Sequence, residues 1–166
     1  RGFSFQGDGP LDMRYNQAQE LTAEVIINDW SLDELARVFR VYGEDRNARY
    51  IAEAIVRQRR DKRIVRTSEL ADLVLELVPR RGKTHPATKI FQALRIAVND
   101  ELGELERALP ELVSLLAPGG RIAIISFHSL EDRIVKQFFK NCSDLEVLTK
   151  RPVAATRVEV KNNKRS

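Results

Sequence analysis

From Gln17 to Val78 the apolar positions recur at helical spacing, and no strand-like alternation interrupts them. The string "SLDE" at Ser31 to Glu34 predicts a capping box ahead of Leu35, Val38, Phe39 and Tyr42, with Gly43 as terminator. In "ARYIAEAIVRQR" Ile51, Ile55 and Val56 share one helical face. "TSELADLVLELVP" predicts a helix that opens on Thr67 or Ser68 and stops at Pro79. A longer helix is predicted from about Ala87, carrying Ile90, Phe91, Leu94, Ile96, Ala97 and Val98. Pro110 either opens a second helix, "PELVSLLA", or kinks a continuous one. The stretch from Gln17 to Val78 therefore predicts a small all-α unit, and the helix from Ala87 opens a second half that reads helix, strand, helix, strand.

The period then changes. In "GGRIAIISFHSLEDRIVKQFF" the Ile-rich run Arg121 to Phe127, bounded by glycines, reads as a short buried parallel strand. After it Ile134, Val135, Phe138 and Phe139 fall on one helical face. Ser129 is the expected N-cap, with Asp132 at the third helical position. A strand-to-helix crossover of this kind places Ser126, His128 and Ser129 at the carboxyl end of the strand, where open α/β sheets bind ligands. "LEVLTKRPVAA" predicts one or two further strands. The second half therefore reads as α/β. The first fifteen residues read as turns, with Phe3 and Phe5 alternating ahead of "GDGPLDMR".

Composition narrows the class. With 43% hydrophobic and 31% charged residues among 166, the chain is an ordinary globular one. No apolar run approaches the length of a membrane span, and "RGFSFQGDGP" has no signal-peptide pattern. A start without Met and a basic, unpatterned end predict a piece cut from a longer polypeptide. Cys142 stands alone, which excludes a disulfide framework and a cysteine zinc site and fits a reducing compartment; a cytoplasmic location is expected, with a plastid or mitochondrial one left open.

The 28 Lys and Arg exceed the 24 Asp and Glu only slightly, but they cluster in "VRQRRDKRIVR", "RRGK" and "KNNKR". Such clusters attract a polyanion such as RNA. The candidates for phosphate contact are Arg59, Arg60, Lys62, Arg63, Arg80, Arg81 and Lys83, together with Arg57 and Arg66. A metal site at His128, Glu131 and Asp132 fails on spacing, because no second His lies near in sequence. The serines lack the glycines of a nucleophile elbow. Neither a Walker lysine loop nor a G-x-G-x-x-G fingerprint occurs among the 8 glycines, so no cofactor cradle is visible.

Four strings carry a specific resemblance: "RGFSFQGDGPLDMRYN", "YGEDRNARYIAEAIV", "HPATKIFQALRIAVNDELGELE" and "LAPGGRIAIISFHSLEDRIVKQFF". In order along essentially the whole chain, they resemble the ribosomal small-subunit RNA cytosine-N4 methyltransferases, the RsmH/MraW family. The resemblance implies an α/β fold: a Rossmann-like S-adenosylmethionine-dependent methyltransferase, present in part, with an inserted all-α helical domain. It divides the chain into a core segment at 1–16, a helical domain at 17–98 whose far boundary falls between 86 and 105, and a C-terminal core portion at 99–166. It implies methylation of a cytidine N4 in the decoding region of 16S ribosomal RNA, with that RNA or the small ribosomal subunit as partner, no membrane, and a homodimer left open for the complete enzyme. The family's cofactor loop precedes "RGFSF", so S-adenosylmethionine is expected to bind in a preceding half, and no cofactor-binding residue maps onto this chain. The chain by itself is expected to be inactive.

On the substrate side, Phe3, Phe5 and Met13 are candidates for apolar or stacking surface. Asp12, Arg14, Asn99, Ser126, His128 and Ser129 are candidates for polar contacts. For each Phe the competing expectation is core packing, and for Asp12 with Arg14 a structural ion pair. The competing function is a self-standing RNA-binding or assembly module that does no chemistry.

Overall fold

The computed structural model describes residues 2–80, 82, 84–149 and 151–163. Within it the chain falls into two compact units, Arg1–Glu104 and Leu105–Ser166.

The first unit holds five complete helices: α1 (Ala23–Asp29), α2 (Leu32–Val41), α3 (Ala48–Asp61), α4 (Thr67–Leu77) and α5 (Ala87–Asn99). Each begins or ends for an identifiable local reason. Ser31 and Glu34 form the predicted capping box, the Ser31 hydroxyl accepting from Glu34 N and the Glu34 carboxylate accepting from Ser31 N at 2.8 Å. The α2–α3 turn needs Gly43, because a Cβ there would lie 2.6 Å from Phe39 O and 2.8 Å from Lys89 O. Helix α4 opens on Thr67, the first of the two expected positions; Arg66 occupies the N-cap, and the Glu69 carboxylate accepts from Val65 N and Arg66 N. Thr67 is drawn inside. Its fully buried hydroxyl accepts from Gly9 N at 2.9 Å and donates to Gly7 O.

Packing completes the unit. Helix α2 packs on α3 and α5, α1 packs on α3 and α5, and α4 packs on α3 and α5. The core between them includes Ile26, Leu35, Phe39, Ile51, Ile55, Leu70, Ile90 and Leu94, each fully out of solvent. Leu11 and Met13 of the N-terminal segment join it. That segment is tied down by Leu11 N donating to Val65 O and Thr67 N donating to Gly9 O, around an isolated antiparallel bridge between Pro10 and Arg66. Asp8 fixes the same edge by accepting from the Arg66 guanidinium at 2.6 and 2.9 Å and from the Ser68 hydroxyl at 2.8 Å, contacts that hold its carboxyl well below the usual carboxylate range.

The helix predicted to run on from Ala87 ends at Asn99. Asp100 adopts a left-handed conformation (φ 47°, ψ 39°), which Asp tolerates better than most residues, and α6 (Glu101–Ser114) starts immediately after it. Pro110 lies inside α6 and opens no helix of its own.

The second unit contains the remainder of α6, then α7 (Ser129–Asn141) and α8 (Arg157–Asn162). Helix α7 forms where predicted, but its N-cap is His128 and not Ser129. The Glu131 carboxylate reaches back to Phe127 N at 2.7 Å and to His128 N at 3.3 Å, a reach that the shorter Asp132 side chain one position on does not match. The strands expected at Arg121 to Phe127 and in "LEVLTKRPVAA" are absent among the described residues. The run still alternates in burial, Ile122, Ile124 and Ser126 half-buried, Ile125 and Phe127 exposed at 82% and 84%. A parallel strand is stable only when neighbours complete its hydrogen bonds, and no strand lies among the described residues to do so.

Candidate functional site

The densest polar construction in the first unit surrounds Asp12 to Tyr15. Met13 is one of three non-glycine residues with positive φ, at 62°, and it is completely buried. A residue held in this sparsely populated region persists only where its surroundings determine it, and such residues gather at functional sites.

Asn99, the last residue of α5, supplies much of that determination. Its Nδ2 donates to Met13 O at 2.8 Å and to Arg95 O at 2.9 Å, while its Oδ1 accepts from Tyr15 N at 2.8 Å. Asp12 and Arg14 supply the rest. The Asp12 carboxylate accepts from Arg14 N, Nε and Nη2, the shortest contact being 2.6 Å, and Arg14 also donates to Gln17 O and Gln19 O. The Arg14 guanidinium holds the Asp12 carboxyl below its usual value. Gln19 closes the ring by donating to Val98 O.

Tyr15, which sequence reasoning passed over, is the product of this framework. Its ring is 64% exposed, lies against Phe3 with centroids 5.2 Å apart and planes 21° apart, and its hydroxyl donates to Glu101 Oε1 at 3.3 Å. Glu101 is itself gripped by Arg95 at 2.7 and 3.1 Å. An aromatic inside the string "DMRYN" was the available signal; its exposure was not.

Phe3, Asp12, Met13, Arg14 and Asn99 are thus brought together. Phe5 packs against His85 (4.6 Å) and edge-on to Phe91 (4.9 Å) beside the core. Ser126, His128 and Ser129 belong to the second unit, where His128 Nδ1 accepts from Glu131 N in the cap of α7.

Among the basic candidates, Arg59, Lys62, Arg63 and Arg66 have partners within the chain. Arg59 donates to Ile27 O and Trp30 O, both at 2.7 Å, which satisfies carbonyls at the end of α1. Lys62 pairs with Glu69 at 2.6 Å, and Arg63 pairs with Asp29 at 2.9 Å. Lys62 and Arg63 line a groove of about 250 Å³ with Glu69, Asp72 and Glu76, whose mixed signs do not favour an anion. Arg57, Arg60 and Arg80 are exposed, and Arg81 and Lys83 lie outside the described residues.

The loop is thus locked beneath the exposed Tyr15 and the half-buried Phe3. Comparison with known proteins supplies the class. The model of the MraW methylase family matches residues 1–166, and the chain belongs to that family. It is 54% identical, over its whole length, to proteins named ribosomal RNA small subunit methyltransferase H from Elusimicrobium minutum and Rippkaea orientalis, covering 58% and 55% of them respectively. It is 49% identical to the protein of that name from Symbiobacterium thermophilum, covering 59% of it. The chain therefore spans somewhat more than half the length of these relatives.

Proposed function

We infer that the chain is the substrate-facing part of a cytoplasmic S-adenosylmethionine-dependent enzyme that methylates the N4 amine of a cytidine in the decoding region of 16S ribosomal RNA. The Asp12 to Tyr15 framework carries this reading, in a chain that the family model matches throughout.

The exocyclic amine of cytosine is conjugated into its ring and is a poor nucleophile, so the enzyme must expose the base, hold the nitrogen in line and accept its proton. Rigid presentation is what the framework supplies. Both N–H groups of Asn99 are engaged by Met13 O and Arg95 O, and the Asp12 carboxylate accepts from Arg14, so these side chains position the loop. Met13, with no exposed surface, serves as the buried anchor of the same loop.

S-adenosylmethionine would supply the methyl group. Among the described residues the cradle it needs does not fit: Gly43 is closed in by backbone carbonyls, and Gly119, left-handed at φ 77°, follows the end of α6 and leads into no strand. We place its cradle in the part of the relatives' length that this chain does not cover. The same part would supply strands to flank 121–127, completing a Rossmann-like core from 1–16 and 99–166 around a helical domain at 17–98.

The reading is tested by incubating a polypeptide of the relatives' full length with small-subunit RNA and methyl-labelled cofactor, then digesting the RNA to nucleosides. N4-methylcytidine from the full-length protein, and no transfer by residues 1–166 alone, is the expected result. Label on a ring carbon or on another nucleoside would overturn it.

A further inference from the structure

The Tyr15 side chain is large, planar and 64% exposed, yet it is not loose. The contacts that fix it include these: Asn99 Oδ1 accepts from its backbone N, Phe3 lies nearly parallel behind its ring, and Glu101 accepts from its hydroxyl. Each support is itself supported. Asn99 is anchored on Met13 O and Arg95 O, and Glu101 by the two Arg95 contacts.

Ordinary surface packing does not require this. An exposed aromatic whose only role was to cover Phe3 would need neither a fixed hydroxyl nor a left-handed residue two positions before it. A rigid, largely exposed ring with few rotatable bonds loses little entropy when another flat ring settles on it. The chemistry at its edge points the same way. The hydroxyl end carries the Glu101 carboxylate, whose charge is already paired with Arg95, so a phosphate gains little from the hydroxyl itself.

The geometry points to Tyr15, backed by Phe3, as a stacking platform for one unstacked nucleobase of the RNA substrate. This rests on the reading of the chain as part of an RNA-modifying enzyme and names the contact by which that RNA is held. Because every base has a π-face, the platform tolerates any sequence, and recognition of cytosine falls to groups elsewhere.

The test uses the full-length polypeptide with two probes: a single-stranded RNA hexamer, and the same sugar-phosphate chain lacking bases. Loss of one stacked base lowers affinity by about ten- to a hundredfold. Tyr15→Ala and Tyr15→Leu should both weaken hexamer binding by that factor, Leu retaining apolar cover over Phe3. Tyr15→Phe should stay within about twofold, and none of the three should alter binding of the abasic chain. In a Tyr15→Trp protein, emission should be quenched by the hexamer and not by the abasic chain. Equal hexamer affinity in the parent and both truncations, or equal losses for both probes, would overturn the platform. Methyl transfer by the parent separates the two ideas: if it transfers methyl while Tyr15→Leu binds the hexamer normally, the platform falls and the enzyme reading stands. A parent that neither binds nor methylates RNA removes both.

Discussion

The two units of the chain obey the same helical rules and differ in what they do with apolar side chains that do not belong to helices. In the first, Leu11 and Met13 come from a loop and are buried to 1% and 0% by five helices that pack on one another. In the second, Ile125 and Phe127 come from a run of higher β-propensity and stand 82% and 84% exposed. A helix closes its own backbone hydrogen bonds and needs a neighbour only for its face; an extended run needs a neighbour for its backbone as well. Leu11 and Met13 find both kinds of neighbour in the first unit, and the run 121–127 finds no strand among the described residues of the second.

The largest test of that contrast is to truncate one aromatic in each unit. Phe39→Ala, at a fully buried position of α2, should cost about 3–5 kcal/mol in urea unfolding. Phe127→Ala in the same chain should stay within about 0.5 kcal/mol, as surface substitutions do. Repeated in a polypeptide of the relatives' full length, Phe127→Ala should become costly if 121–127 gains strand partners there. Equal losses at both positions in residues 1–166 would show that the second unit buries this run on its own.

What could be read from the sequence follows the same division. Ser31 with Glu34 was legible because both partners of the capping box lie three residues apart. The faces of α2, α3 and α5 were legible because the 3.6 period is local. The burial of Thr67 was not legible, because the groups that bury it, at Gly7 and Gly9, are about sixty residues away in sequence. The break at Asp100 left no apolar gap to signal it, since left-handed backbone at Asp is a tolerance and not a demand. Tyr15 and the engagement of Arg59 were invisible for the reason that hid Thr67: Asn99 is 84 residues from Tyr15, and Ile27 is 32 from Arg59. Type and spacing suggested the site residues; which of them are already occupied is a property of the fold.

A second test compares polar groups that join elements. Asn28 in the first unit is buried and donates to Glu24 O and Ile64 O while accepting from Ile64 N at 2.9 Å. Asn28→Ala leaves the buried Ile64 N–H and C=O without their partner, and should cost about 2–3 kcal/mol. Glu131→Ala in the second unit removes a carboxylate whose shorter contact is with the exposed Phe127 N, where water can replace it. It should cost less than about 1 kcal/mol. Chemical denaturation of the two variants against the parent orders the effects, and a Glu131→Ala loss equal to that of Asn28→Ala would break the contrast.

The smallest effect concerns charge within the Asp12 to Tyr15 framework. Arg14 lowers the Asp12 carboxyl below its ordinary value of 3.8. A carboxylate whose value is depressed by folding contributes stability that is fully present above that ordinary value and is lost as pH falls through the folded one. Asp12→Asn removes this contribution and leaves those of Asp8, Glu34 and Glu69 in place. The parent should therefore exceed the variant in stability at neutral pH by about 1 kcal/mol or less, as suits a pair about one-fifth exposed. The difference should shrink steadily as pH is lowered from about 5 toward 2, because protonated Asp12 then presents Arg14 with a neutral group much as Asn does. Denaturant midpoints measured across that range decide it. A parent-to-variant difference that stays constant with pH would mean that Asp12 holds the loop through hydrogen-bond geometry alone, with its charge making no contribution to the framework beneath Tyr15.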